Sequence, residues 1–387
     1  MTLKRNSKLF LVLFLGTLSA FGPFVTDLYL PALPTMSSYF NSSTSTIQLT
    51  LTGSMVGLAL GQLLIGPISD KYGRKNPLII SLIVYLISTI AIILFPNVYA
   101  MIVLRFIQGV SSAGAVVISR AISTDLYHGR ELAAFFALLM AVNGLAPILS
   151  PILGSVLLEL TDWRGIFVTL ALIGLILLAV SFKFNESLVV EKRLDVPITK
   201  TYYSLVYVIK NRLFFALVII QGLALAAMFA YIAASPFILQ THYSLSPLMY
   251  SLCFGLNGFA IVLGSKSAGN FKEKVSIKLG LSLMLLVSIY LAVALTLTLP
   301  FLFIEVGFFL LLLGLGFILP AGSAIAMSLE RERAGSASAF FGFVPFFLGG
   351  VVSPLVGIGN IFHSSAIAIV ICSAISFVTF KLVEKKI

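Results

Sequence analysis

Twelve apolar runs recur along this 387-residue chain, each close to the length of a helix that crosses a bilayer. They lie at about 9–31, 47–68, 77–95, 99–122, 132–157, 165–184, 213–238, 247–265, 277–297, 302–326, 335–358 and 365–381. At 1.5 Å of rise per residue, roughly 20 residues span the hydrocarbon core. Only 10% of residues are charged, against roughly a quarter in a soluble domain, and the mean hydropathy is +1.09. The expected fold class is an all-α membrane protein of twelve transmembrane helices.

The net charge of +11 first suggests nucleic acid. Its distribution argues against that partner, because the basic residues sit in small groups beside apolar segments, with no basic stripe interleaved with aromatics. With the N-terminus inside, all but two of the 25 lysines and arginines fall on the cytoplasmic side or at cytoplasmic helix ends; the exceptions are Arg105 and Arg164. That asymmetry predicts an even number of spans, with both termini cytoplasmic, in a bacterial inner membrane. Lys4, Arg5 and Lys8 imitate a signal peptide, but the run from Leu9 to Pro31 is too long and lacks an A-x-A-like site, so it is read as an uncleaved first helix. Cys253 and Cys372 lie inside spans and read as small core hydrophobes. A polar stretch at 185–212, containing Pro197 and a short segment Thr201–Ile209 that can lie on the membrane surface, divides the chain. The expected organisation is a six-helix bundle at 1–184, a cytoplasmic linker at 185–212, and a second bundle at 213–387. Ser150-Pro151-x-x-Gly154 recurs as Ser353-Pro354-x-x-Gly357, and Ala134-Phe135-Phe136 as Ala339-Phe340-Phe341. Parallel repeats of this kind characterise two-bundle secondary transporters.

The loop after helix 2 reads Gly66-Pro67-Ile68-Ser69-Asp70-Lys71-Tyr72-Gly73-Arg74-Lys75. It resembles the G-x-x-x-D-x-x-G-R-[RK] signature of the major facilitator superfamily. Glycines allow a tight loop to approach a neighbouring helix, and the acid can cap that helix's positive N-terminus. Arg74 can meet an acid at a nearby helix end, with Asp125 the candidate, so Gly66, Asp70, Gly73, Arg74 and Asp125 are expected to form a conformational latch. The blander reading, a basic cytoplasmic turn, holds for Lys71 and Lys75 in any case. Further stretches narrow the resemblance: Phe21 to Pro34 in helix 1, Leu104-Arg105-Phe106-Ile107-Gln108-Gly109 in helix 4, Gly144 to Gly154 in helix 5, Trp163-Arg164, Ser235-Pro236-Phe237 and Ala334 to Ala339. Together they are similar to the bicyclomycin-resistance/CflA branch of drug:proton antiporters, which implies multidrug or metabolite efflux driven by the proton gradient.

Asp27 and Arg105 place charge at membrane depth. Each lies 19 residues from the cytoplasmic end of its helix, about 28 Å of rise. Burying either alone costs at least about 2.5–3.5 kcal/mol on insertion scales, so each must face a cavity or a partner. A carboxyl whose surroundings alternate between dry and wet can load and release a proton. Asp27 is therefore the expected proton carrier. Arg105, permanently charged, would tune Asp27 or bind an anionic or polar group, with Gln108 on the same helical face. The alternative is a static ion pair joining helices 1 and 4.

Helix 5 carries Gly144, Pro147, Pro151 and Gly154, which resemble the superfamily's antiporter motif with Ala146 in place of a glycine; prolines four residues apart bend a helix, and a hinge is expected there. Gly53, Gly57 and Gly61 on helix 2 form a close-packing face, either a sliding seam between bundles or ordinary static packing. The second half is degenerate: Ala268 aligns with Asp70, while Pro345 and Ala321 stand where the branch commonly has glutamine and asparagine. Phe24, Tyr29, Tyr231, Ser235, Phe237 and Asn257, with Gln108, are the candidates for substrate contact, since aromatic faces bind cations and flat apolar molecules. Glu305 reads as a solvated interfacial acid or an aid to proton entry, Trp163 as an interfacial anchor. His128, His242 and His363 fall in loops or at helix ends and are given no role. A monomer surrounded by lipid is expected, handling a small molecule and protons, with no cofactor, no metal and no nucleic acid. The competing readings are an uptake symporter, a polytopic membrane enzyme, for which the spans lack a catalytic constellation, and a receptor, for which the longest polar stretch, 185–212, is too short to form a soluble domain.

Overall fold

The protein is described by a computed structural model covering residues 6–193, 205, 207–330 and 333–386. Lys4, Arg5, Pro197, Arg331 and most of the Thr201–Ile209 segment lie outside the described residues. Among the described residues, twelve helices are long and apolar enough to cross a membrane. They are α1 (Lys8–Asp27), α2 (Thr44–Tyr72), α3 (Lys75–Leu94), α4 (Val98–Leu126), α5 (Gly129–Leu160), α6 (Trp163–Lys183), α7 (Arg212–Pro236), α8 (Pro247–Ala268), α9 (Glu273–Thr296), α10 (Phe301–Leu329), α11 (Ala334–Val356) and α12 (Ile361–Val383). Each expected span is present, with ends within a few residues of the hydropathy boundaries.

Helix starts follow the chemistry of their first residues. Ser7, Asn97, Asp162, Asn211, Ser246 and Asn360 each place a side-chain oxygen on an orphan N–H of the first turn, as N-cap residues do. Helix α1 ends at Asp27 for an equally local reason. The residue four positions on is Pro31, which has no N–H to offer the Asp27 carbonyl. The chain then passes through a 3₁₀ turn, Leu30–Ala32, into a short helix, Leu33–Tyr39, with Pro34 in its first turn. Helix α7 is likewise extended, through a π-helical turn at Phe237–His242.

By packing, the chain forms two compact units. One comprises described residues of 1–30 and 53–203, the other those of 31–52 and 204–387. The second therefore includes Pro31–Thr52, which a division at the central linker leaves with the first. In unit one, α1 packs against α4 and α5, and α3 against α4 and α6. In unit two, α10 lies against α7, α8 and α9, and α7 also contacts α11 and α12. The segment 31–52 is held in unit two by polar side chains that fill backbone acceptors. Pro354 cannot donate to the Gly350 carbonyl, and the Thr52 hydroxyl donates to it instead at 2.9 Å. Gln48 Nε2 donates to the Ala233 carbonyl (2.9 Å) and Ser45 Oγ to that of Pro354 (2.9 Å).

Gly53, Gly57 and Gly61 pack directly on the backbone of α4 within unit one. A Cβ on Gly57 would lie 2.2 Å from the Phe106 carbonyl oxygen, and one on Gly109 would lie 2.1 Å from that of Ser54. These glycines thus serve close contact inside a unit, which supports ordinary packing, the second of the two readings, over a sliding seam. Trp163 is buried against Phe167, with the Arg164 guanidinium over its ring at 4.7 Å; it is not an exposed anchor. Cys253 and Cys372 are buried free thiols, as expected.

Candidate functional site

Among the described residues, three polar clusters contain the expected site residues, two in unit one and one in unit two. The first surrounds the end of α1. Asp27 is buried, with 9% of its surface exposed, and Arg105 on α4 is buried completely. Equal depth, inferred from helix rise, is matched by contact: Arg105 Nη1 donates to the Val25 carbonyl at 2.9 Å. The same nitrogen donates to Gln108 Oε1 (2.5 Å), and Gln108 Nε2 donates to Thr89 Oγ1 (2.7 Å), whose own hydroxyl bonds the Tyr85 carbonyl. The guanidinium stacks 4.2 Å above the Tyr29 ring and 5.8 Å from Phe167, contacts worth about 2 kcal/mol or more when desolvated. Gln108 and Tyr29 therefore hold the arginine in place.

Asp27 and Arg105 are near enough for their charges to interact, yet among the described residues no ion pair joins them. The expected alternative of a static pair is not what the structure contains. Arg105 Nε and Nη2 have no hydrogen-bond partner. Two unspent donors on a buried guanidinium are costly and leave it able to meet a polar or anionic group.

Helix α5 brings its motif to the same place. It runs through Pro147 and Pro151 as one helix, although each proline withdraws one i→i−4 bond. Asn143 Nδ2 bonds Ser19 Oγ on α1 at 2.5 Å. Gly154 sits on the residue after Asp27: a Cβ there would lie 1.9 Å from the Leu28 carbonyl oxygen. Gly144, by contrast, has nothing within 4 Å of where a Cβ would be. Phe24 is half-buried on α1 beside this cluster.

The second cluster is the α2–α3 turn. Arg74 donates through Nε and Nη2 to the two oxygens of Asp125 (2.9 and 3.2 Å), and through Nη1 to Ser69 Oγ (2.9 Å) and to Asp70. The anticipated Arg74–Asp125 contact is thus present, in bidentate form. Burial works against the Arg74 charge, but the hydrogen bonds and charges of Asp125 and Asp70 outweigh it and raise its pKa above the ordinary arginine value. Glu186, which the sequence reading did not single out, caps α3 by accepting from the backbone N–H of Arg74 (2.9 Å) and Lys75 (3.1 Å). Asp70 was expected to cap a neighbouring helix; within this unit that task falls to Glu186. Gly73 makes the approach possible, with φ of +89° and a missing Cβ that would lie 2.5 Å from Glu186 Oε2. Gly66 is under no such demand, since its nearest neighbour would be 3.7 Å away. Arg74→Ala would leave the Asp125 carboxylate without its cation, and removing one partner of such a pair costs about 3–5 kcal/mol when fully buried. A lowered melting temperature of the detergent-solubilised protein is expected for Arg74→Ala, with Lys71→Ala close to the parent. Equal melting of the two variants would show that the network holds nothing together.

The third cluster is in unit two. Asn257 Nδ2 on α8 donates to Tyr231 Oη on α7 (3.0 Å) and to Glu305 Oε1 on α10 (2.9 Å). All three are buried, Glu305 to 6% exposure, which corrects its reading as a solvated interfacial acid. Tyr231 packs on Phe308 and Phe254. Ser235 and Phe237 are also buried, one turn and more beyond Tyr231.

Residues 9–354 match the family model described as Major Facilitator Superfamily. This chain belongs to the major facilitator superfamily. It is 36% identical over 362 residues to the uncharacterized MFS-type transporter YdgK of Bacillus subtilis, covering 92% of this chain and 90% of that protein. It is 27% identical over 273 residues to a bicyclomycin resistance protein homolog of Haemophilus influenzae, covering 70% and 69%. A solved bacterial homologue of the human lysosomal transporter Spinster, inward-facing and occupied, superposes with a TM-score of 0.78 over 99% of this chain and 98% of its own, at 14% identity. That likeness carries the fold alone. The superfamily member described here is thus a transporter rather than an enzyme, handles small molecules, and is a multi-pass protein of the bacterial cytoplasmic (inner) membrane.

Proposed function

We propose that this protein exports drugs or small hydrophobic metabolites in exchange for protons, by alternating access, as a monomer with both termini in the cytoplasm. The observation that carries this reading is Asp27, a buried carboxyl at the end of α1, beside an arginine that is anchored by its neighbours and not locked to it. An acid tied permanently to a cation would have no reason to exchange its proton. Here Arg105 is fixed by Val25, Gln108 and Tyr29, so Asp27 can change charge without dismantling the helix packing. Gly154 presses α5 onto the adjoining residue, which links the helix 5 motif to the acid. The resistance-protein relative supports export as the direction and a toxin as the cargo class. Phe24, Ser235 and Phe237 are the proposed substrate contacts, Tyr231 and Asn257 being engaged with each other and with Glu305, and Arg74 with Asp70, Gly73 and Asp125 the proposed latch.

The test is growth of an efflux-deficient bacterial host expressing the protein, challenged with chemically diverse toxins with and without a protonophore. Expected is resistance to at least one apolar compound, with lower cellular accumulation that the protonophore abolishes. A protonophore-sensitive rise in accumulation would instead identify an uptake symporter.

A further inference from the structure

The cluster in unit two has a hydrogen-bond deficit that the Asp27 mechanism does not use. Glu305 Oε1 is satisfied by Asn257, but Oε2 has no partner, and neither has Asn257 Oδ1. Three hydrogens are available to the trio: two on the Asn257 amide and one on the Tyr231 hydroxyl. Both amide hydrogens point to Tyr231 and Glu305. Among the described residues, no lysine, arginine or histidine forms an ion pair with Glu305. The titratable groups facing it from the packed helices are Tyr231 on α7 and Cys253 on α8, with Tyr250 behind Tyr231, and all carry no positive charge. On α9, Tyr290 is engaged with the Phe303 carbonyl at 3.0 Å. A bare carboxylate in this setting is an uncompensated buried charge.

We propose that Glu305, with Asn257 and Tyr231, is a second proton-binding site of the transporter, in the unit that does not contain Asp27. A proton on Oε2 removes the charge and turns an orphaned acceptor into an O–H donor, in a cluster where the Asn257 oxygen is an acceptor without a donor. The proton adds to the carboxylate and leaves from the same oxygen, so no other bond changes. A metal ion would need several oxygen ligands, and Tyr231 itself packs on the rings of Phe254 and Phe308. An organic cation needs room, and Asn257, Tyr231 and Glu305 are 0%, 1% and 6% exposed. A proton needs none. This extends the proton-coupled reading to a second carboxyl, and it is tested without any transported compound.

The full-length protein, reconstituted in liposomes, is followed by infrared difference spectroscopy of the protonated-carboxyl stretch through a series of pH steps. The parent is expected to lose that signal as pH rises, in components that Glu305→Gln and Asp27→Asn remove separately. Tyr231→Phe keeps the ring and removes one hydrogen-bonding group, and is expected to displace the Glu305 component by about half a pH unit or more; it also serves if Glu305→Gln fails to fold. The proposal is overturned if Glu305→Gln leaves the titration unchanged, or if its component persists at every pH as a permanently protonated structural acid. It is also overturned if that component responds to sodium at fixed pH, or if Tyr231→Phe moves nothing. Loss of the Asp27 component alone would leave the coupling by Asp27 standing and this second site refuted.

Discussion

Asp27→Asn is expected to abolish the proposed proton-driven efflux while leaving the protein folded in the membrane. Asparagine reproduces the shape of aspartate but cannot take up or give away a proton, and no ion pair is broken by the change, because Arg105 is held by Val25, Gln108 and Tyr29. The expected expression level and melting temperature are therefore close to the parent, since the substitution creates neither a cavity nor an overpacked core. The measurement is substrate-induced collapse of an imposed pH gradient in vesicles, together with substrate exchange in the absence of a gradient. The variant should show no proton movement but retain exchange. If it still moves protons with substrate, Asp27 is not the carrier. Were it to unfold, the carboxyl would be doing structural work that the contacts described above do not reveal.

The second large effect is expected at Gly154. Alanine there puts a methyl group 1.9 Å from the Leu28 carbonyl oxygen, and backbone cannot swing aside as the end of a long side chain can. Overpacking of a tight interior costs about 1–3 kcal/mol even where side chains yield; here α5 must move off α1 or the turn after Asp27 must distort. Gly144→Ala is the matched control, ten residues earlier on the same helix, with open space around the new methyl. Transport by Gly154→Ala is expected to fall at least about tenfold, the consequence of some 1.4 kcal/mol, whereas Gly144→Ala stays near the parent rate. Equal rates would mean that the close approach to Leu28 is dispensable, and that the helix 5 motif acts through its prolines alone.

Hydropathy made the twelve spans legible because each must be apolar over a bilayer's thickness whatever its neighbours are. The Arg74–Asp125 contact was legible too, since a motif's charge spacing and a helix end nearby in topology leave few partners. Glu186 was not. Its role depends on how closely the chain after α6 approaches Gly73, and the one available signal was an acid following a span beside a basic turn. Glu305 was misread for a related reason. Its distance from the helix end suggested solvent, but the direction in which a side chain faces on an apolar helix is set by packing, and Asn257, a polar residue in an apolar span that required a partner, was the clue. The glycines of α2 showed that some helix approaches closely without showing which. The break after Asp27 could be inferred in principle from Pro31, four positions on, because the missing N–H is written into the residue type.

That break also marks a boundary along the chain. The long rod of α1 belongs to one unit and the short helix Leu33–Tyr39 to the other, and the few residues that join them begin immediately after the ionisable side chain. In the proposed cycle, a proton gained or lost by Asp27 would therefore fall four residues before Pro31, where the chain first enters the second unit.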